Sequence, residues 1–130
     1  MPLPARVLAL LLCGACAPAV RFERDDGSLV REFADVEVAT TAEDRRVGLS
    51  GHAPLGVAQA LVLEFPGVGE VCVTNASVSF PIVAHFVADD GRVVAQEALA
   101  AREARAPCHL GVRRVIETDE AGAPGATVAR

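Results

Sequence analysis

Three apolar runs of strand length lie close together in the middle of the chain. They read ALVLEF, EVCV and FPIVAHFVA, and each is rich in valine, isoleucine or phenylalanine. Pro-Gly, polar and Asp-Gly stretches separate them, as turns separate the strands of a sheet. The pattern predicts strands at residues 60–65, 70–75, 80–88 and 92–97. Asp89-Asp90-Gly91 predicts the last of the reversals between them.

The flanking segments predict further strands and one short helix. Residues 21–32 are typical of a hairpin, a strand follows at 36–39, and the last strand is expected at 112–118. Thr41 precedes two acids as a helix N-cap would, and Gly48 can close the helix that we expect at residues 42–47. The whole pattern predicts an α+β fold that is mostly β, an antiparallel barrel-like sheet with one short helix.

Two other segments carry local signals. Pro66-Gly67-Val68-Gly69 predicts a turn between the strands at 60–65 and 70–75. Residues 97–106, EALAAREARA, have high helix propensity, which favours a helical turn ended by Pro107.

The first sixteen residues have the features of an export signal. One positive charge comes before the apolar run at residues 7–12, and Cys13-Gly14-Ala15-Cys16 follows at once. The small residues before Cys16 resemble a bacterial lipobox, after which Cys16 would carry the lipid. The alternatives are an ordinary signal cleaved nearby, or a short buried strand. The apolar run is far shorter than the ~20 residues that a membrane-spanning helix needs.

Length and charge narrow the function classes. A chain of 130 residues is the size of one domain, and its 52% hydrophobic residues exclude a disordered protein. All 12 basic residues are arginine, they form no cluster, and the formal net charge is −5. A nucleic-acid partner is therefore not expected, because such proteins gather basic residues on one face.

The sequence accordingly predicts three segments. Residues 1–15 form a signal peptide, residues 16–33 a lipid-anchored tether with the first hairpin, and residues 34–130 the β-rich domain. The mature chain keeps Cys72 and Cys108, an even pair that suggests a disulfide in an oxidising compartment. Two buried free thiols are the alternative, because spacing alone does not bring two cysteines within reach.

Several segments from residue 36 onward resemble one known family. VEVATTAEDRRVGLSGHAPL combines a strand, a Thr-capped acidic helix and a Gly-Leu-x-Gly turn. This order, with Phe65-Pro66, Pro81 and the segments DGRVV, APC and RVIE, resembles the small bacterial and archaeal proteins of domain-of-unknown-function family 192 (DUF192). The resemblance covers about three-quarters of the chain and implies a shared architecture. It implies no reaction, because fold does not carry function.

The centre of the chain departs from that family. Where the family usually shows Trp-Met-x-Asn-Thr-x-x-Pro-Leu-Asp, this chain keeps only the proline. Thr74 replaces the tryptophan, Ser77 the asparagine and Val83 the aspartate. Any site that those polar residues form in other members is therefore altered or absent here.

The candidate ligand-binding residues are Asn75, Ser77 and His85. His85 lies in a strand that is apolar on both faces, and Asn75 and Ser77 precede that strand. They could form a polar pocket, whereas the alternative is a neutral core histidine with one hydrogen-bond partner. No sequence signature marks a nucleophile and its base, so no catalytic residue is assigned.

No metal or cofactor is predicted. The imidazole and thiol ligands left after the signal include His52, His85, Cys108 and His109, and their spacing matches no zinc motif. Neighbouring Cys108 and His109 would point to opposite faces of a strand.

Taken together, these features predict an exported protein of the bacterial cell envelope, lipid-anchored or periplasmic. The function that we favour is a non-catalytic module that binds an envelope protein or a small ligand. The alternative is a small hydrolase or ligand-processing enzyme with a polar pocket centred on His85.

Overall fold

A computed structural model describes residues 6–10, 18–121 and 123–124. Its strands are β1 (Arg6–Leu10), β2 (Ala19–Glu23), β3 (Leu29–Phe33), β4 (Asp35–Ala39), β5 (Gln59–Cys72), β6 (Ile82–Val87), β7 (Val93–Leu99) and β8 (Cys108–Asp119), with one helix, α1 (Ala42–Val47). The fold is mostly β with one short helix, as predicted. No helix in the described part of the chain is long and apolar enough to span a membrane.

The strands form two sheets. A three-stranded antiparallel sheet has the order β1-β2-β3, and a five-stranded sheet has the order β4-β5-β8-β6-β7. The larger sheet is mixed, because β4 pairs with β5 in parallel while the other pairs are antiparallel. Its outer strands β4 and β7 do not pair with each other, so this sheet is open and not a closed barrel.

The two faces of the five-stranded sheet are both covered. One face carries a core cluster that includes Leu61, Leu63 and Val115, and the residues around α1 pack against it. The other face carries Val62 and Ile116 and packs against the three-stranded sheet. Successive residues of a strand point to opposite faces, so each central strand supplies side chains to both cores.

Helix α1 has the bounds that the sequence predicts. The side chain of Thr41 accepts a hydrogen bond from the backbone N–H of Asp44 at 3.0 Å, which satisfies one of the free N–H groups at the helix start. Gly48 ends the helix with φ 51°, a backbone conformation that glycine adopts without strain.

The predicted turn at residues 66–69 does not reverse the chain. β5 instead continues through these residues for 14 residues in all, with register shifts between Glu64 and Gly69 and between Gly69 and Val71. The reason is that β8 is long enough to pair with both halves of β5. The Pro-Gly segment therefore becomes an irregularity within one strand, as in a β-bulge.

The segment with high helix propensity forms no helix. β7 extends to Leu99, which is buried opposite Ile82, and a short turn at residues 101–102 follows. Pairing with β6 and burial of Leu99 outweigh the local helix propensity.

β1 lies within the predicted signal peptide and pairs with β2 in the full chain. That pairing does not test whether the segment is later removed, so cleavage stays a prediction. Cys16 and the expected cleavage position lie outside the described residues.

Candidate functional site

An open cavity of about 330 Å³ lies between α1 and the face of the five-stranded sheet that carries Leu61 and Leu63. Its walls come from α1, the turn after it, β5 and residues 73–78. Most of the lining is apolar, as in typical small-molecule sites, and the volume is at the lower end of their range. The larger apolar lining side chains are Val47, Leu49, Leu63, Phe65, Val73 and Val78.

One acidic side chain, Glu117, lines this cavity from the sheet. It lies near the C-terminal end of β8, opposite Leu61 on one side and Ala84 on the other, and is only 4% exposed. Burial raises the pKa of its carboxyl group to about 7. Within the described residues no side chain or backbone group forms a hydrogen bond or ion pair with that carboxyl group.

Glu117 is the middle member of a row of three glutamates across the sheet. The strand register places Glu37 opposite Leu61, and Glu97 opposite Ala84. Paired residues point to the same face, so the three carboxyl groups share one face of the sheet, two strand spacings or roughly 10 Å apart.

The two outer glutamates have partners. Glu37 Oε1 lies 3.3 Å from His52 Nε2, and Glu97 Oε2 lies 2.7 Å from His109 Nε2. Arg105 donates to Glu97 Oε1 at 3.0 Å. Burial alone would raise the pKa of Glu97, but the hydrogen bonds from His109 and Arg105 outweigh burial and lower that pKa. The central acid therefore differs from its neighbours in having no partner among the described residues.

The helix side of the cavity carries an arginine held in a fixed position. Arg45 Nη1 donates to the backbone oxygens of Thr40 at 2.7 Å and Glu64 at 2.9 Å. Its guanidinium group lies 5.0 Å from the centroid of the Phe65 ring, within the range of a cation–π contact. No carboxylate in the described chain lies within ion-pair distance of Arg45, whereas the neighbouring Arg46 is paired with Glu43 at 2.6 Å.

Two serines close part of the wall. Ser50, in the turn after α1, and Ser77 share a hydrogen bond of 2.5 Å between their hydroxyl groups, and both line the cavity. This bond ties residues 73–78 to the helix side of the cavity.

Asn75 supports this segment from within the protein. Its amide nitrogen donates to the backbone oxygens of Phe80 and Ala100, both at 2.9 Å, and the residue is fully buried. Asn75 therefore positions the loop that carries Ser77, and it does not line the cavity.

His85 lies on the opposite face of the sheet. It is fully buried opposite Ile116, and its ring packs 4.8 Å from the ring of Phe22 in the three-stranded sheet. Gln96 Nε2 donates to His85 Nδ1 at 2.9 Å, so Nε2 carries the proton and donates to Thr118 Oγ1 at 2.9 Å. Burial lowers the pKa of this imidazole to about 3, which makes it neutral.

The three predicted site residues thus occupy three different environments. Ser77 lines the cavity, Asn75 is buried beneath its loop, and His85 lies behind the sheet. Sequence reasoning missed Glu117, although one signal was present. Glu117 follows the apolar pair Val115-Ile116 and shares its period-two strand face with Val115, so its carboxyl group enters the core on that face.

The disulfide prediction is confirmed: Cys72 and Cys108 face each other at the end of the β5–β8 pair and are bonded. In the described part of the chain, no group of three or more His, Cys, Asp or Glu side chains is arranged to hold a metal ion. His52 and His109 instead contact the outer glutamates.

Comparison with known proteins identifies the family of this chain. The sequence profile of DUF192, described as an uncharacterised conserved family (Uncharacterized ACR), matches residues 22–126. The chain belongs to this family. No functionally curated protein matches the sequence significantly.

Two solved structures share the DUF192 chain's fold. A protein from Sinorhizobium meliloti 1021, provisionally called a transcription regulator (R01717), aligns with a TM-score of 0.73 at 19% identity, over 85% of this chain and 82% of its own. A protein of unknown function from Novosphingobium aromaticivorans DSM 12444 aligns with a TM-score of 0.62 at 18% identity, over 68% of this chain and 64% of its own. At these identities the likeness concerns the fold alone.

Proposed function

We propose that this DUF192 protein is an exported, lipid-anchored envelope protein that binds a small ligand, without catalysis, in the cavity beside α1. The observation that carries the proposal is the buried carboxyl group of Glu117, which lines an open cavity with no partner within the described chain. Buried polar groups in proteins are nearly always hydrogen-bonded. A bound ligand would supply the missing partner.

The export part of the proposal rests on two features. The apolar run at residues 7–12 followed by Gly14-Ala15-Cys16 has the order of a lipoprotein signal. The disulfide between Cys72 and Cys108 supports the same compartment, because disulfides persist in oxidising environments such as the bacterial periplasm.

Binding is favoured over catalysis by the hydrogen-bond partners of the polar groups. Ser50 and Ser77 bond to each other, and no described side chain that could act as a base forms a hydrogen bond with either hydroxyl. His85, the base in the alternative enzyme function, is sealed between the two sheets and bonded on both ring nitrogens. These contacts therefore do not favour the alternative function as a small hydrolase.

Ligand binding can be tested with a pair of matched substitutions. Ser77→Trp places an indole in the cavity wall, whereas Ser79→Trp places the same ring at an exposed position of the same loop, outside the lining. A fragment library is screened against the purified full-length protein by NMR, following backbone amide shifts. We expect fragments that shift the amides of residues 47–50 and 73–78 and that bind at least tenfold more weakly to Ser77→Trp.

The control should keep wild-type affinity for the same fragments. Two outcomes would reject a ligand site in this cavity. One is that no fragment shifts these amides, and the other is that Ser77→Trp leaves the affinity of the bound fragments unchanged.

The anchor can be tested separately in cells. We expect Cys16→Ser to move the protein from the membrane fraction to the soluble fraction and to remove the lipid mass from the mature chain. Cys13→Leu serves as the matched control, because leucine is usual at that lipobox position. Membrane association that persists in Cys16→Ser would contradict the anchor.

A further inference from the structure

The cavity has two chemically different ends. Glu117 enters the cavity lining from β8 opposite Leu61, whereas Arg45 is held against Phe65. Leu61 and Phe65 are four residues apart on the same strand, a separation of roughly 13 Å. One end of the cavity therefore carries a carboxyl group and the other a guanidinium group, with Leu63 and other apolar side chains between them.

The carboxyl end favours a ligand that donates hydrogen bonds. An ionised carboxylate only accepts hydrogen bonds, a protonated carboxyl group still has acceptor oxygens, and burial of an unpaired charge is costly. The nearest carboxyl groups in the row, Glu37 and Glu97, add no donors, and their own partners His52, His109 and Arg105 are directed to them. A protonated amine supplies both the donors and the opposite charge.

The guanidinium end favours an acceptor of negative charge. Arg45 uses Nη1 for the oxygens of Thr40 and Glu64, and none of the described residues accepts a hydrogen bond from its Nε or Nη2. Guanidinium N–H groups bind carboxylates and phosphates through two parallel hydrogen bonds. Because Arg45 is already immobilised by its two backbone contacts, little side-chain entropy is lost when an anion binds.

We propose that the ligand is a small aliphatic molecule with a protonated amine at the Glu117 end and an anionic group at the Arg45 end. This inference rests on the proposed function and specifies the ligand of the same cavity. The apolar walls between the two ends contact the aliphatic chain, and the cavity volume of about 330 Å³ limits the ligand to a small molecule.

Three probes of equal chain length separate the contributions of the two ends. They are 5-aminopentanoate, pentylamine and pentanoate, each titrated by NMR into the purified full-length protein. We expect 5-aminopentanoate to bind most tightly, pentylamine about tenfold more weakly and pentanoate weakest, since a charge-assisted hydrogen bond changes affinity by about tenfold or more. This ranking requires no substitution in the protein, so it does not depend on whether a variant folds.

Glu117→Gln tests the carboxyl end directly, with nearly the same side-chain shape. We expect about tenfold weaker binding of 5-aminopentanoate and pentylamine and unchanged or stronger binding of pentanoate. Glu37→Gln is the matched control, because it removes the same charge from the same row but lies outside the cavity lining. Its affinities should equal those of the wild type.

Two results would overturn the ligand class. One is pentanoate binding as tightly as 5-aminopentanoate, and the other is amine affinity that Glu117→Gln leaves unchanged. In either case, fragments of other chemistry that bind at least tenfold more weakly to Ser77→Trp than to the wild type would still support a ligand site in this cavity. Failure of the ligand class can therefore be distinguished from failure of the proposed function.

Discussion

His85 and Glu117 show how neighbouring positions of one sheet create opposite environments for a titratable group. Both are buried, and their strands place them on opposite faces. His85 has a hydrogen-bond partner on each ring nitrogen and stays neutral, because burial lowers its pKa to about 3. Glu117 has no such partner in the part of the chain that the structure describes, and burial raises its pKa to about 7. His85 is therefore a structural residue, whereas Glu117 lines the open cavity.

These two pKa shifts predict opposing effects of pH on stability. The folded state binds more protons than the unfolded state at Glu117 between pH 4.5 and 7, so this residue lowers the free energy of unfolding as pH rises through that window. At His85 the unfolded state binds more protons between pH 3 and 6.5, so stability rises with pH. Between pH 4.5 and 6.5 the two effects oppose each other in the wild type.

Glu117→Gln should remove the pH-dependent contribution of Glu117 to stability and leave that of His85. We expect its free energy of unfolding to rise with pH between 4.5 and 6.5 by roughly 1 kcal/mol per pH unit relative to the wild-type profile. Urea denaturation at pH 4.5, 5.5 and 6.5 measures the difference, with Glu37→Gln as the control. Parallel profiles for Glu117→Gln and the wild type would show that Glu117 has no raised pKa in the folded protein.

At the scale of elements, the paired strands β5 and β8 organise the site. β8 pairs with β5 on one side and β6 on the other, and it places Glu117 between them. β5 supplies Leu63 and Phe65 to the cavity and then continues past its irregular segment to the disulfide at Cys72. Segment 73–78, which forms part of the cavity wall, begins directly after that bond.

The disulfide is therefore expected to stabilise both the fold and the cavity wall. The two cysteines are 36 residues apart in sequence, for which the chain-entropy estimate is about 4 kcal/mol at most. We expect the double variant Cys72→Ser/Cys108→Ser to lose free energy of unfolding up to that amount, measured by urea denaturation. Reductant should destabilise the wild type similarly and leave the variant unchanged; equal stability of the oxidised wild type and the variant would contradict this role.

At the scale of the whole molecule, the three-stranded sheet gives the five-stranded sheet a second core. Val20, Phe22 and Phe33 are buried against Val62 and Ile116 on the face away from the cavity. That packing seals His85 from solvent and leaves the α1 side as the face with an open cavity. The same contacts connect residues before β4 to the rest of the domain.

Phe33→Ala tests this second core. Phe33 is fully buried, and loss of a buried phenylalanine ring typically costs about 3–5 kcal/mol of the free energy of unfolding. Leu29→Ala on the same strand is the control, because Leu29 is 46% exposed, and we expect a much smaller change. Chemical denaturation measures both. Equal losses for the two variants would mean that the three-stranded sheet does not pack as described.

The elements that sequence predicted well are those with local causes. The bounds of α1 follow from Thr41 and Gly48, and the hairpin between β6 and β7 follows from Asp89-Asp90-Gly91. The structures of residues 66–69 and 97–106 differ from the predicted turn and helical turn. Pairing with β8 and β6 outweighed the local turn and helix signals.

The candidate site was predicted less well, because contacts between distant segments create it. The sequence by itself determined a β-rich domain, one capped helix, the presence of an even cysteine pair and the resemblance to DUF192. Only the tertiary structure decided that Ser77, Asn75 and His85 lie apart and that Glu117 faces a cavity with no hydrogen-bond partner among the described residues. Helix caps and tight turns depend on neighbours in sequence, whereas burial and hydrogen-bond partners depend on strand register, which joins residues far apart in the chain.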